Sequence, residues 1–119
     1  MKKILIVEDN AANMKLFCDV LEYKNYSVEK ATDGLEAYEK IKSMQFDLVV
    51  LDIQLPKLDG LSLLKKIKEE NINRPKILVV SAFAMDKDKQ NAKALGCEDY
   101  ITKPIDIMNF LSCVQKLTK

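Results

Sequence analysis

The sequence predicts an α/β fold, a doubly wound (βα)5 arrangement in which a five-stranded parallel sheet carries helices on both faces. Short apolar runs alternate five times with segments of helical periodicity along the 119 residues. The inner runs, such as ILIV and LVVL, are apolar at successive positions, which is typical of parallel strands covered on both faces. Right-handed crossovers between such strands favour the order 2-1-3-4-5.

The predicted strands differ in polarity along the chain. They are KILIV (3–7), SVEKA (27–31), DLVVL (47–51), KILVV (76–80) and DYITK (99–103). The second and fifth runs are the more polar, so we expect them at the two edges of the sheet.

Helical periodicity follows each strand. The predicted helices cover about 11–24, 34–44, 58–70, 86–95 and 106–117. Asn10 and Asp33 precede the first two helices and suit N-capping, because their side-chain oxygens accept hydrogen bonds from the free amides of the first turn. Asp106 stands near the start of the last helix, just after Pro104.

Length and charge indicate one domain, covering residues 1–119, without an output module. The chain is long enough for one core, and its net charge of +1 with scattered lysines gives no basic stripe for nucleic acid. The apolar run near the N-terminus is too short for a signal peptide or a membrane span. We therefore expect a cytoplasmic protein that binds neither nucleic acid nor membrane.

The chain contains three cysteines and no histidine. Cys18, Cys97 and Cys113 are widely separated and odd in number, so we expect buried free thiols. Without histidine the chain lacks the commonest general base and every Ser-His or Cys-His nucleophile pair. A phosphohistidine would have to come from a partner.

Polar residues stand at the ends of four predicted strands. Glu8 and Asp9 follow the first strand, Asp52 the third and Ser81 the fourth, while Lys103 ends the fifth. Ligands of such sheets bind outside the carboxyl ends of the strands. An acidic cluster beside a lysine and a hydroxyl suits a divalent cation and a transferred phosphoryl group, because the metal offsets carboxylate repulsion and the lysine meets the added anion. The pattern predicts a phosphorylatable switch.

Four segments resemble the receiver domains of two-component response regulators, in the CheY-like superfamily with its flavodoxin-like fold. They are ILIVEDN (4–10), LVVLDIQLPKLDG (48–60), VVSA (79–82) and GCEDYITKP (96–104). Within that family the chain looks most similar to stand-alone DivK-type regulators of bacterial cell-cycle and differentiation control, through VEDNAANMKLF (7–17), DIQLP (52–56), SAFAM (81–85) and GCEDYITKPI (96–105).

The resemblance implies a role for each acidic residue. Asp52 would accept a phosphoryl group from a partner's phosphohistidine as a carboxylate nucleophile. Glu8, Asp9, Asp52 and the backbone carbonyl of Gln54 would hold Mg²⁺, with Asp9 the closer ligand and Glu8 acting largely through water, and Mn²⁺ is expected to substitute. The protein would be a switch and not an enzyme, promoting only its own phosphotransfer and self-dephosphorylation.

The same resemblance implies how the switch is read. Lys103 would pair with Asp52 or its phosphoryl group, and the peptide bond between Lys103 and Pro104 would be cis. Ser81 would hydrogen-bond a phosphoryl oxygen, and Tyr100 would turn between outward and inward rotamers as the loop after strand 4 moves.

Small departures from the commonest family pattern keep the chemistry intact. Glu8 stands for aspartate and Ser81 for threonine, and both retain the required oxygen. Gln54 and Phe83 flank the approach of water in receivers, and we hypothesise that Phe83 shields the acyl phosphate. Taken alone, Ser81 would be an ordinary turn hydroxyl and Tyr100 an edge-strand aromatic; their occurrence together favours a site.

Two predicted helices have more apolar residues than one narrow core face needs. In the last helix a core stripe would leave two candidates for an exposed patch; the stripe is Ile107, Phe110, Leu111 and Val114, and the candidates are Ile105 and Met108. The first helix is similarly broad, with Met14, Leu16, Phe17, Val20 and Leu21. Core packing alone would account for both sets of residues.

The resemblance implies instead that these helices dock partners. Helix 1 and the loop after strand 5 would meet a sensor histidine kinase or a histidine phosphotransfer protein, and helix 4, strand 5 and helix 5 would bind a downstream effector. In the receivers of dimeric transcription factors, an arginine-containing salt-bridge network joins the two copies. The one arginine of this chain, Arg74, is not on predicted helices 4 and 5, so such a network has no donor there and we expect a monomer or a weak dimer.

Three other functions remain open. A receiver could signal by binding alone, without phosphorylation. A phosphatase with an aspartyl nucleophile would usually need a second acid two residues later, where Gln54 stands. A flavin-binding carrier would need a loop rich in Gly, Ser or Thr after strand 1, but that loop reads EDNAAN.

Overall fold

The computed structural model describes residues 1–55, 57–71, 73, 75–83 and 85–119. Within these residues strands and helices alternate as predicted. The strands are β1 (Lys3–Val7), β2 (Ser27–Ala31), β3 (Leu48–Asp52), β4 (Lys76–Ser81) and β5 (Asp99–Thr102). The helices are α1 (Ala11–Tyr23), α2 (Gly34–Ser43), α3 (Gly60–Glu70), α4 (Asp86–Ala94) and α5 (Ile107–Leu117). Arg74, whose position bears on the expected oligomeric state, lies outside the described residues.

All strands join one parallel sheet in the order β2-β1-β3-β4-β5, which confirms the predicted doubly wound fold. The polar strands β2 and β5 are the edges, whereas every residue of β3 is buried. Asp52 is paired with Val80 across β3 and β4, and Ser81 with Thr102 across β4 and β5. The register therefore brings the carboxyl ends of the central strands level at one edge.

A hydrophobic cluster covers each face of the sheet. On the face of α1 and α5, the rings of Phe17 and Phe110 pack with centroids 4.9 Å apart. On the other face α2, α3 and α4 bury residues such as Ile41 and Leu63. Burying one such side chain contributes about 1.5–3 kcal/mol, so the two clusters hold the strand ends in fixed positions.

Side-chain caps begin four of the helices. The capping residues, each accepting a hydrogen bond from a first-turn amide, are Asn10, Asp33, Asp59 and Asp106. The predicted start of α3 at Leu58 was two residues early, because Asp59 is its cap and Lys57 has a φ of 67°. The predicted start of α5 at Asp106 was one residue early, because Asp106 is the cap of that helix.

The apolar surface is smaller than the sequence predicted. On α5, Met108 is 76% exposed, but Ile105 is half-buried against the cluster and does not form part of an open patch. On α1, Leu16 is 43% exposed while Phe17 is buried. None of the helices in the described part of the chain has the length and apolar content needed to cross a membrane.

The cysteines are free thiols, as expected. Cys18 and Cys97 are buried, and burial raises the pKa of both thiols. Cys113 is only half-buried, so the expectation of a fully buried thiol was wrong for this residue. Its thiol lies 3.6 Å from Oδ2 of Asp99.

Candidate functional site

Three carboxylates meet where β1 and β3 end. Glu8 and Asp9 directly follow β1, and Asp52 is the last residue of β3. One oxygen from each of the three lies within 4.8 Å of the others. Asp9 is exposed, whereas Glu8 and Asp52 are buried. The structure therefore brings together the acidic residues that the sequence singled out.

Lys103 reaches this cluster from the end of β5. Its Nζ lies 2.8 Å from Oδ2 of Asp52 and 3.5 Å from Oε1 of Glu8. Its backbone N–H donates to the carbonyl of Ser81 across 2.7 Å, and the peptide bond to Pro104 is cis, as predicted. Burial alone would lower the pKa of Lys103, but the hydrogen bond and charge of Asp52, with those of Glu8, raise it overall.

Both oxygens of Asp52 have donors. Lys103 donates to Oδ2, and the backbone N–H of Gln54 donates to Oδ1 across 3.0 Å. Two charge-assisted hydrogen bonds, one from the residue after β5 and one from the loop after β3, fix the plane of the carboxylate. Asp52 is thus a buried, preoriented carboxylate at the edge of the sheet.

The surroundings of Glu8 disfavour the charged form of its carboxyl group. Burial and the neighbouring Asp52 carboxyl raise the pKa of Glu8 from 4.5 to about 7, while a hydrogen bond from Asn13 opposes the rise. Its Oε2 is the only buried side-chain nitrogen or oxygen in the described residues without a hydrogen-bond partner. A buried acceptor left without a donor is costly, so this atom suits a ligand.

The donor set fits a divalent cation of the Mg²⁺ type. Hard cations prefer oxygen ligands and offset the repulsion among carboxylates. Here three carboxylates face one nearby lysine, and the unpaired Oε2 belongs to one of them. The residues that would hold the ion are Glu8, Asp9 and Asp52.

The end of β4 and its loop are linked to β5. The hydroxyl of Ser81 accepts from the N–H of Phe83 across 3.0 Å, and Tyr100 donates to the carbonyl of Phe83 across 2.7 Å. Tyr100 is buried, and burial raises its pKa. The ring of Phe83 is 43% exposed at the rim.

Asn13 is a site residue that the sequence reasoning missed. Its Nδ2 donates to Oε1 of Glu8 across 3.1 Å. The signal lay in its position on α1: Asn10 caps the helix, and the third helical residue points back toward the end of β1.

The loop after β3 is held against the start of α2. Lys57 pairs with Asp33 across 3.5 Å. Gly34 packs so closely that a Cβ would lie 1.8 Å from the carbonyl oxygen of Leu58. This packing fixes the loop that also contains Gln54.

Comparison with known proteins matches residues 4–115 to the response regulator receiver domain family. Relatives include the polar-differentiation response regulators DivK of Brucella ovis and Brucella anthropi. They are 39% and 38% identical over 115 residues, an overlap that covers 96% of this chain and 94% of each relative.

Solved structures share the fold. The receiver domain of the Francisella response regulator 1452 is 30% identical with a TM-score of 0.95, covering 99% of this chain and 97% of that one. The receiver domain of the sensor histidine kinase PA1611 from Pseudomonas aeruginosa is 30% identical with a TM-score of 0.88, covering 98% and 97%. That structure has a magnesium ion coordinated in its active-site cleft.

Proposed function

The chain belongs to the response regulator receiver domain family, and from this premise we propose that Asp52 accepts a phosphoryl group from the phosphohistidine of a partner in a two-component phosphorelay. Receiver domains act as phosphoacceptor switches, bind Mg²⁺ in an acidic pocket and interact with histidine kinases and effectors. One observation carries the assignment of Asp52: its buried carboxylate is held by Lys103 at 2.8 Å beside Glu8 and Asp9.

The transfer exchanges one bond to phosphorus for another. A carboxylate oxygen of Asp52 forms the new P–O bond while the P–N bond to the partner's imidazole breaks, and the electron pair of that bond stays on the ring nitrogen. The acyl phosphate adds negative charge beside Lys103, whose ammonium group stabilises it. The hydrogen bonds that orient Asp52 position the nucleophile before the donor arrives.

Mg²⁺ is the proposed cofactor. Glu8, Asp9, Asp52 and the backbone carbonyl of Gln54 would hold it, and Mn²⁺ would substitute. When bound, the ion offsets the charge of the carboxylates and of the phosphoryl oxygens. The oxygen-only donor set, the unpaired Oε2 of Glu8 and the magnesium in the Pseudomonas receiver support this assignment.

Ser81 and Tyr100 would convert phosphorylation into a change of surface. In the structure Ser81 accepts the N–H of Phe83, and Tyr100 donates to the carbonyl of the same residue. When Ser81 donates instead to a phosphoryl oxygen, the loop moves inward and carries the partner of Tyr100 with it. The face of α4, β5 and α5 then changes for a downstream effector.

The proposed partners are a sensor histidine kinase or phosphotransfer protein and a protein effector. The exposed side chain of Leu16 on α1 supports docking of the phosphohistidine partner on α1, and the exposed Met108 on α5 supports binding of the effector on the face that includes α5. The names of the Brucella relatives support a role in bacterial cell-cycle or differentiation control.

Intact mass tests the proposal directly. The protein is incubated with Mg²⁺ and a small acyl phosphate, with Asp52→Asn and a Mg²⁺-free sample in parallel. We expect a gain of one phosphoryl group that needs both Asp52 and Mg²⁺. No gain here, followed by none from a competent phosphohistidine donor, would refute the switch and favour a receiver that acts by binding alone.

A further inference from the structure

The two oxygens of Glu8 have different surroundings. Oε1 accepts hydrogen bonds from Nδ2 of Asn13 at 3.1 Å and from Nζ of Lys103 at 3.5 Å. Oε2 is buried without a partner among the described residues. Because Glu8 is only 1% exposed, water does not orient this carboxylate, and the protein donors on Oε1 must do so.

Asn13 is the shorter and more rigid of the two donors. It is the third residue of α1, and its backbone N–H donates to Oδ1 of the capping residue Asn10 across 2.9 Å. Its side-chain amide then turns back to Glu8. The helix start and the acidic residue are therefore joined through one asparagine.

Lys103 is a poor substitute for this contact. Its ammonium group is 2.8 Å from Asp52 and 3.5 Å from Glu8, so a closer approach to Glu8 would take it from the phosphoacceptor. The neutral amide of Asn13 holds Glu8 without competing for Asp52. A glutamate also has one more side-chain torsion than an aspartate, and an existing hydrogen bond reduces the entropy lost when the carboxylate binds an ion.

We infer that Asn13 is a positioning residue for the cation site: by holding Oε1 it keeps Oε2 of Glu8 free for Mg²⁺ and leaves Lys103 on Asp52. This inference rests on the proposed function. Residues that hydrogen-bond a metal ligand typically change metal affinity by about 10–100-fold when they are lost. For the loss of Asn13 we expect a decrease in Mg²⁺ affinity near the lower end of this range, because its side-chain amide is neutral and the residue is only half-buried.

The test is Mg²⁺ titration of the unphosphorylated protein. Binding is monitored by the backbone amide chemical shifts in NMR spectra, which report even weak binding. We expect Asn13→Ala to raise the dissociation constant by about tenfold. Asn109→Ala is the matched control, since Asn109 is the exposed third residue of α5 and its N–H also donates to a capping side chain. This control should leave the affinity unchanged.

A double-mutant cycle separates positioning from a general structural effect. In a Glu8→Gln background, Asn13→Ala should cost little further affinity, because the carboxylate that it orients is gone. Two results would overturn the inference. One is that Asn13→Ala still lowers Mg²⁺ affinity tenfold in the Glu8→Gln background; the other is that, in the wild-type background, Asn13→Ala binds Mg²⁺ as tightly as Asn109→Ala does. If instead the wild-type protein shows no Mg²⁺ binding that depends on Asp9, the proposed function fails and this inference falls with it.

Discussion

Nζ of Lys103 lies 2.8 Å from Oδ2 of Asp52 and 3.5 Å from Oε1 of Glu8. The two carboxylates are 4% and 1% exposed, so this ammonium group offsets negative charge that water does not reach. Lys103→Met would leave two buried carboxylates without a nearby cation. In metal-free buffer at pH 8 we expect the free energy of unfolding to fall by about 3 kcal/mol, measured by urea denaturation.

Lys116→Met is the control for this prediction. Lys116 lies 3.0 Å from Asp99, but its side chain is 65% exposed, and exposed ion pairs contribute little. Equal losses in the two variants would contradict the claim that burial of the carboxylates makes the Lys103 contact strong.

The pKa of Glu8 predicts a pH dependence of stability. Burial, followed by the neighbouring Asp52 carboxyl, raises the pKa of Glu8 from 4.5 to about 7. Between these values the folded protein binds more protons at this group than the unfolded chain does, so the free energy of unfolding decreases as pH rises. The contribution of Glu8 is fully present below its unfolded pKa and is lost as pH passes through its folded pKa.

Urea denaturation in chelator at pH 5 and at pH 8 measures this effect. Glu8→Gln has no carboxyl to titrate at this position, so we expect it to lose less stability than the wild-type protein over the same interval. Parallel losses in the two proteins would assign the pH dependence to other groups.

Gly34 is the point of closest approach between α2 and the loop after β3. A Cβ there would lie 1.8 Å from the carbonyl oxygen of Leu58, so Gly34→Ala forces the backbone apart. We expect a loss of about 1–3 kcal/mol in the free energy of unfolding. Glu39→Ala, at an exposed position of the same helix, should change stability little. An unaffected Gly34→Ala variant would show that the loop moves away without cost.

The periodicity of apolar residues was sufficient to predict the sheet, since each inner strand is a continuous apolar run that ends at the same edge. That edge also explains why Asp52 and Lys103 were found, as both stand at strand ends whose register the sheet fixes. The contact of Asn13 with Glu8 was not predictable in this way. It depends on the angle at which α1 leaves β1, which no local pattern specifies.

The ends of the helices and the exposure of single side chains were harder to predict than the order of the strands and helices. The apolar Leu58 extended the helical pattern of α3, but the positive φ of Lys57 and the cap at Asp59 begin the helix later. Ile105 looked exposed because it precedes the α5 stripe, and yet it packs against the core from the loop. Both differences come from tertiary contacts that override the local pattern.

Phe83 is expected to set the lifetime of the phosphorylated state. Its backbone is fixed by Ser81 and Tyr100, and its ring lies 43% exposed at the rim. Removing the ring by Phe83→Ala should admit water and shorten the half-life of the acyl phosphate, measured by intact mass over time. Met85→Ala removes another exposed apolar side chain of the same loop and should leave the half-life unchanged. An unaltered half-life in Phe83→Ala would refute shielding by this ring.

Tyr100 connects β5 to the loop after β4 through one hydrogen bond, from its hydroxyl to the carbonyl of Phe83 at 2.7 Å. Tyr100→Phe keeps the buried ring and removes that bond, so we expect a loss of about 1 kcal/mol in the free energy of unfolding. The loop should also open more often, which hydrogen exchange at the amide of Phe83 detects as faster exchange.

Tyr26→Phe separates the two effects. The hydroxyl of Tyr26 pairs with Oγ1 of Thr118 at 3.1 Å, a contact that does not involve the loop after β4. This variant also removes one hydrogen bond, while the Thr118 hydroxyl still donates to the carbonyl of Val114. We expect it to lose at most about 1 kcal/mol of stability, and exchange at Phe83 should stay at the wild-type rate. If both variants accelerate that exchange equally, the effect reflects global stability; if neither does, Ser81 alone holds the loop, and Tyr100 follows its movement without restraining it.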